Sequence, residues 1–459
     1  MPGWRLLLLA VVLVAAGGCT GGDDAVATTT TSTSTTIGVT VRSSGERALT
    51  VGPDVDGGLA ERLEAQLGEL ATVTEGLRGL AFLSPPQIVL LAEADFNARW
   101  DAHRNARLDP VALAADTRLF RLIGLLTPAQ DLRTLLRSAA TPVVAFYEGG
   151  AAEIVVAATE AELDDFDASV AVRSLVEALT DQYHRHTVLS GELDAAGRHD
   201  EATALRALAI ADALTTQLRY LETLPDSARV IAAAEGGAYA PAPAPLFLQT
   251  ELGYPTDDGL AFVAAVLDEG GLAGVDAAYG AELSTELISH PVRYLAGERA
   301  TAVAVPEVAL AGYEVQDRGS LGALGLRSLL GLAVAPGLLT QTVDGWGGDA
   351  FVTLASASDI AFVYLFRGDR VTDAVEVAQG FIDHAQLVMA MAEPLAAGGG
   401  VELIGPAPVE GEEAAETDET TPPPDGPYVY VDRSGAGLVV VIAGDAEAGR
   451  ALVRQLETP

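Results

Sequence analysis

Six histidines, His103, His184, His186, His199, His290 and His384, are the side chains of this chain best suited to bind a metal or move a proton near neutral pH. A metallopeptidase helix needs His-Glu-x-x-His. Two imidazoles four residues apart share one face, and the Glu between them acts as base. No such run occurs. His184 and His186 are two apart and would face different ways on a continuous helix. With His199, which follows Gly197 in an expected loop, they read as a solvated helix end where the dipole favours His. There is no Walker loop, no Gly-x-Ser-x-Gly elbow and no dinucleotide fingerprint, and no motif frames a serine as nucleophile.

The 459 residues carry a net charge of −37, with 27 Lys plus Arg against 64 Asp plus Glu, and every basic residue is Arg. Phosphate binding draws on clustered positive charge, so nucleic acid is not an expected partner. An apolar fraction of 49% is ample for a core. The sole cysteine, Cys19, leaves neither an intrachain disulfide nor a Cys-rich zinc module.

That cysteine follows Arg5, an apolar run at 6–16 and the small residues Ala16-Gly17-Gly18. The layout is a signal peptide, too short for a lasting membrane span. It resembles a bacterial lipoprotein signal, with Ala16 where Leu is usual. The resemblance implies cleavage before Cys19, lipid on its thiol and anchoring to the cell membrane on the extracytoplasmic face. Residues 1–18 are then the signal peptide and 19–46 a Thr/Ser-rich tether.

Behind the tether, apolar spacing predicts helices over 58–80, 95–107, 111–126, 164–186, 200–224 and 372–393, shorter ones between 226 and 295, one or two over 321–340, and a last one over 445–456. Strands are expected at 48–51 and 88–91, with strand pairs at 142–147/153–157, 351–355/360–366 and 428–432/438–443. The class is α+β, helix-rich with several short strands. Residues 405–427, acidic and Pro-rich, read as a disordered loop within one domain spanning 47–404 and the closing hairpin and helix at 428–459. Trp100, Trp346, Phe351, Tyr364 and Phe366 are expected in the core.

The stretch Arg173-Ser174-Leu175-Val176-Glu177-Ala178-Leu179-Thr180-Asp181-Gln182 resembles the signature helix of a family of bacterial zincin-like metallopeptidases, approximately His-Glu-Leu-Thr-His-Ala-Leu-Gln-Asp-Gln. Ala178-Leu179 and Asp181-Gln182 set the register. Val144-Ala145-Phe146-Tyr147, Ala204 to Leu208 with Asp212-Ala213, Ser284-Thr285-Glu286, His290-Pro291, Tyr294 to Glu298, and Gly345 to Asp349 continue the likeness in the family's order. The resemblance implies a zincin-like fold. It puts Arg173 and Glu177 at the first two ligand positions, Ser174 at the general base and Ile210 at the third ligand. Arg cannot donate a lone pair, Ser is a weak base and Ile has no donor atom. On this reading the metal site is refilled by an Arg173–Glu177 ion pair and an aliphatic side chain, with no cofactor expected and no catalytic residue. Asp212 and His290 are the remaining candidate cleft residues: Asp212 either orients a neighbour in the old site or is a helix-face carboxylate pairing with Arg206 or Arg219, and His290 is either a cleft residue left from catalysis or structures the turn before Pro291.

Three functions follow as expectations. The first is a non-catalytic, membrane-anchored envelope lipoprotein whose cleft binds a peptide or protein partner. The second is a structural or assembly lipoprotein with a filled cleft. The third is an active hydrolase with a non-standard metal site.

Overall fold

The computed structural model describes residues 49–106, 108–139, 143–159, 162–238, 244–406 and 426–456. Cys19, the expected signal peptide and tether, and residues 407–425 of the acidic segment lie outside them. The architecture is α+β, built on two sheets and a layer of helices between them.

The first sheet holds β1 (Leu49–Val51), β2 (Gln87–Ala92), β3 (Ala145–Glu148) and β4 (Glu153–Ala158) in the order β1-β2-β4-β3. β1, β2 and β4 are parallel, and β3 folds back antiparallel on β4. Parallel neighbours need crossover connections. α1 (Gly57–Arg78) supplies the first, and α2 (Glu93–Ala106), α3 (Pro110–Leu122) and α4 (Leu132–Ser138) lie in the second. Successive side chains alternate between faces. Val155 and Ala157 therefore meet Phe96 and Trp100 of α2. Ile154 and Val156 meet Leu63 and Leu67 of α1 and Val172 and Val176 of α5 (Asp165–His184). The sheet is covered on both faces, as its unbroken apolar run at β4 requires.

α6 (His186–Ala195) and α7 (His199–Thr223) follow α5, and α7 packs along it. Next come α8 (Asp226–Ala238), α9 (Leu246–Tyr254), α10 (Leu260–Ala278), α11 (Thr285–Ser289) and α12 (Pro291–Leu295). α7 buries Ala204, Leu208 and Ala211 against Tyr254, Phe262 and Val266.

The second sheet is antiparallel throughout, in the order β5-β6-β7-β11-β10-β9-β8. β5 (Glu314–Gly319) precedes α13 (Gly322–Leu330) and α14 (Pro336–Val343). The β6 (Trp346–Ala355) and β7 (Ile360–Gly368) hairpin leads into α15 (Val371–Leu387). β8 (Leu395–Ala397) and β9 (Gly400–Ile404) precede the hairpin of β10 (Tyr428–Ser434) and β11 (Gly437–Ala443), and α16 (Ala446–Leu456) ends the described chain. One face, with Phe351, Phe362, Tyr364, Val440 and Ile442, packs on α13 and α15. The other, with Val352, Val363, Val441 and Ala443, is covered by α16. Trp100, Trp346, Phe351, Tyr364 and Phe366 are all core residues. Among the described residues no helix is long and apolar enough to cross a membrane.

Candidate functional site

α5 begins where Asp164 caps it, accepting from the Asp167 amide at 2.9 Å. From Ala168 to Thr180 every residue is buried except Glu177, because the helix lies between the first sheet and α1, α7 and α8. Arg173, Ser174 and Glu177 all belong to this helix, and Ile210 lies on α7. The Ser174 hydroxyl donates to the Val170 carbonyl at 3.3 Å, so it is tied to its own helix. Ile210 is half-buried and packs against the α7–α10 core, as Leu189 and Leu193 of α6 also do.

The expected ion pair is weaker than the spacing suggests. Arg173 Nε stands 3.9 Å from Glu177 Oε1, outside hydrogen-bond range. The Arg173 side chain is 4% exposed, that of Glu177 19%. Nε has no acceptor, and among the described residues Arg173 makes no other polar contact. Burial pulls the Arg173 pKa down from its ordinary value, and Glu177 alone opposes it.

Asp212 pairs with neither Arg206 nor Arg219. It faces away from them into α1, where Arg78 Nε lies 2.9 Å from Oδ1. The Tyr279 hydroxyl donates to Oδ2 at 3.0 Å. Arg78 is fully buried and its Nη2 reaches Asp276 Oδ1 at 2.5 Å. Burial lifts the Asp212 carboxyl, against Arg78 and Tyr279. For Arg78, burial acts downward, yet Asp212 and Asp276 leave its pKa raised. The short two-sided contacts hold guanidinium and carboxylate charged. Arg206 instead donates to Asp194 Oδ2 at 2.8 Å, and Arg219 to the Leu77 carbonyl at 3.3 Å.

The three clustered histidines are not a solvated helix end. α5 stops at His184 because Arg185 takes a left-handed conformation (φ 50°), and α6 starts at once. That break turns both imidazoles onto one phenol ring. His184 stacks on Tyr279 at 4.2 Å and 4°, with Nε2 3.3 Å from Asp276. His186 lies 5.9 Å from the same ring, its Nε2 3.2 Å from the Glu177 carbonyl oxygen. Burial first of all pulls the His184 pKa down. His199 is not in a loop but opens α7, buried between Asp194 and Asp317, each 3.3 Å away. Burial works against its charge, yet the two carboxylates push it up to about 9. His384 is also internal, its Nε2 2.7 Å from the Ile123 carbonyl oxygen.

His290 lies elsewhere, between α11 and α12, its Nε2 2.8 Å from Asp344 Oδ1. Its backbone carbonyl accepts the Arg293 amide at 2.9 Å. Arg293 dominates this corner. Its Nη1 contacts Glu286, Glu298 and Asp369 at 2.7, 3.1 and 3.2 Å, and Nη2 donates to the Asp344 carbonyl at 2.5 Å. Among the described residues Glu286, Glu298 and Asp369 form the one set of three potential ligand groups converging within 4.8 Å. The guanidinium bonds all three. Burial pushes Glu286 up to about 9, with Arg293 pulling down and Asp369, Glu298 and Asp200 pushing further up.

Next to it, Asp200 accepts from the Thr285 hydroxyl at 2.5 Å and amide at 3.0 Å. Asp349 accepts from the Leu321 and Gly322 amides, the Trp346 indole and the Tyr364 hydroxyl. A Cβ at Gly322, whose φ is +77°, would stand 1.8 Å from Asp200 Oδ1, so only glycine fits there. Burial raises Asp200 to about 7 and Asp349 to about 6. These two carboxylates fasten the start of α13 to α7, α11 and the second sheet. The Ser284-Thr285-Glu286 and Gly345 to Asp349 pieces thus serve packing.

No family model, curated protein or solved structure matches the chain.

Arg78, Tyr279, Asp276 and Arg293 were not singled out by sequence. Arg78 and Asp212 are 134 residues apart, and Arg293 and Asp369 76 apart, so local spacing carries no signal of either contact.

Proposed function

We propose that the chain is a non-catalytic, membrane-anchored cell-envelope lipoprotein on a metallopeptidase-like scaffold, and that the cleft between α5 and α7 binds a peptide or protein partner. One observation carries the reading. At the register of the signature helix a buried guanidinium stands where the first ligand would be, with Glu177 one turn on and the Ser174 hydroxyl bonded to its own helix. A fixed positive charge there supplies what a metal would bring and repels a second cation. Ile210 offers hydrocarbon in place of a third ligand. The filled-cleft alternative draws support from the near-complete burial of Arg173 and Ser174. Partial exposure of Glu177 and Ile210 favours a surface that a ligand can reach.

The test is the metal content of the mature protein after purification in zinc-containing buffer, together with peptide cleavage with and without chelator. Stoichiometric zinc or chelator-sensitive cleavage overturns the reading. For the anchor, mass spectrometry of the mature N-terminus should find acylated Cys19, and Cys19→Ser should move the protein from the detergent phase to the aqueous phase. An unmodified Cys19 overturns that part.

A further inference from the structure

On a chain of net charge −37, two stretches that meet in the fold carry no charge at all, residues 236–250 and 328–343. The first includes the start of α9, and the second runs from α13 through the turn into α14. Their described parts touch: a Cβ at Gly331 would stand 3.6 Å from a Leu339 methyl and 3.8 Å from one of Leu246. Phe247, Leu329 and Leu330 belong to the core, but the residues beside them face out. Leu246 is 45% exposed, Leu332 46% and Leu338 61%, and Ala335-Pro336-Gly337-Leu338 is exposed without a break. Two of the charges that bracket the runs are engaged within the fold, Arg327 donating to Asp258 at 2.8 Å and buried Glu251 accepting from Ser328 at 2.7 Å. Exposed Val111 and Val292 differ, lying next to charge at Asp109 and Arg293 as scattered surface residues do.

Size, charge and reach decide the occupant. A stable protein interface takes about 800 Å² and roughly 20–30 residues from each partner. The exposed part of this patch is a handful of residues, too few for a second copy of the chain. A bilayer asks for less, because a few apolar side chains at its surface only add to an anchor that already holds the molecule there. The segment from Cys19 to Leu49 can span at most about 100 Å. A compact domain of this size has a radius of gyration of about 20 Å, so any of its faces can be brought to the membrane. Anionic headgroups repel an acidic face and leave an uncharged apolar one free to approach. We propose that Leu246, Leu332 and Leu338 form a membrane-contact knuckle that inserts at the headgroup–acyl boundary of the leaflet carrying the Cys19 lipid. This rests on the lipid-anchor reading above and adds which face of the domain lies against the bilayer.

The experiment uses the mature full-length protein with its lipid, reconstituted into phosphatidylcholine vesicles. With the Cys19 thiol acylated the chain has no other cysteine, so Leu338→Cys takes a nitrobenzoxadiazole fluorophore at one position, and Val111→Cys, on α3, serves as the control. Both sites are exposed, so neither label disturbs the core. The Leu338 label should emit to the blue of the Val111 label and be quenched severalfold more by doxyl-labelled phosphatidylcholine. Adding Leu332→Asp, which puts a charge into the knuckle, should shift the emission back and remove most of that quenching. Anchored protein whose Leu338 label is quenched no more than the control, or quenching that Leu332→Asp leaves unchanged, overturns the inference and leaves the anchor intact. A blue-shifted Leu338 label that doxyl lipid does not quench overturns it too, in favour of cover by a second copy or another protein. Protein that fails to float with the vesicles because mass spectrometry finds Cys19 unmodified removes the lipid-anchor reading and this inference with it.

Discussion

Replacing Arg173 by Met should make the protein more stable. The side chain is 4% exposed, its Nε has no acceptor, and among the described residues its one ionic neighbour stands 3.9 Å off. At that separation, with an effective dielectric near 20, the attraction is about 4 kcal/mol. Against it stand an effective desolvation penalty of several kcal/mol for the buried ion and about 1–3 kcal/mol for donors without acceptors. The balance is unfavourable to Arg. Met fills much of the same volume with a flexible apolar chain, and Glu177 is exposed enough to be solvated after its partner is gone. Urea unfolding followed by circular dichroism should show a midpoint gain equivalent to about 1–3 kcal/mol. A loss of 2 kcal/mol or more would refute the reasoning, since only unseen partners of the guanidinium could account for it.

Arg78→Met should behave oppositely, costing about 3–5 kcal/mol because it strands the buried Asp212, and adding Asp212→Leu should recover most of the loss; equal stability of single and double variants contradicts the pairing. His199 has its folded pKa raised to about 9, so its contribution is complete below about pH 6.5 and disappears as pH rises through 9. Glu286 acts in the same direction, so the check is a difference measurement: the fall in melting temperature from pH 6.5 to 9.5 should be shallower in His199→Asn than in wild type, and parallel curves count against the His199 assignment. Asp349→Asn replaces a carboxylate accepting four hydrogen bonds by an amide with one acceptor oxygen, and should cost at least about 2 kcal/mol in urea unfolding while leaving peptide affinity unchanged.

Regular elements were legible where one periodicity ran long enough. α5 and α7 carry apolar residues at helical spacing, and the β6–β7 and β10–β11 hairpins alternate between two buried faces. The expected bounds of α5 overran by two residues, because the stop is a left-handed Arg185, a conformation that nothing in an Arg codes for. β5, β8 and β9 went unseen. β5 reads Glu-Val-Gln-Asp-Arg-Gly, polar because it is an edge strand with one open side, and β8 has three residues. The parallel order of the first sheet was also hidden, since its partners are separated by whole helices. At the site, the i,i+4 rule paired Arg173 with Glu177 on the right face and overstated their contact. Sequence leaves Asp212 open between orienting a neighbour and pairing with Arg206 or Arg219, because its actual partner, Arg78, lies on a helix far away in sequence where local spacing carries no signal.

The second sheet has a consequence for how the molecule is made. β7 and β9 never touch; β11 and β10 stand between them. A chain emerging from its N-terminus therefore completes two separate ribbons, each with a bare edge, and cannot join them until the β10–β11 hairpin arrives. That hairpin is the keystone of the sheet, and a nonsense truncation ahead of it would leave a sticky, half-assembled product rather than a slightly shorter protein.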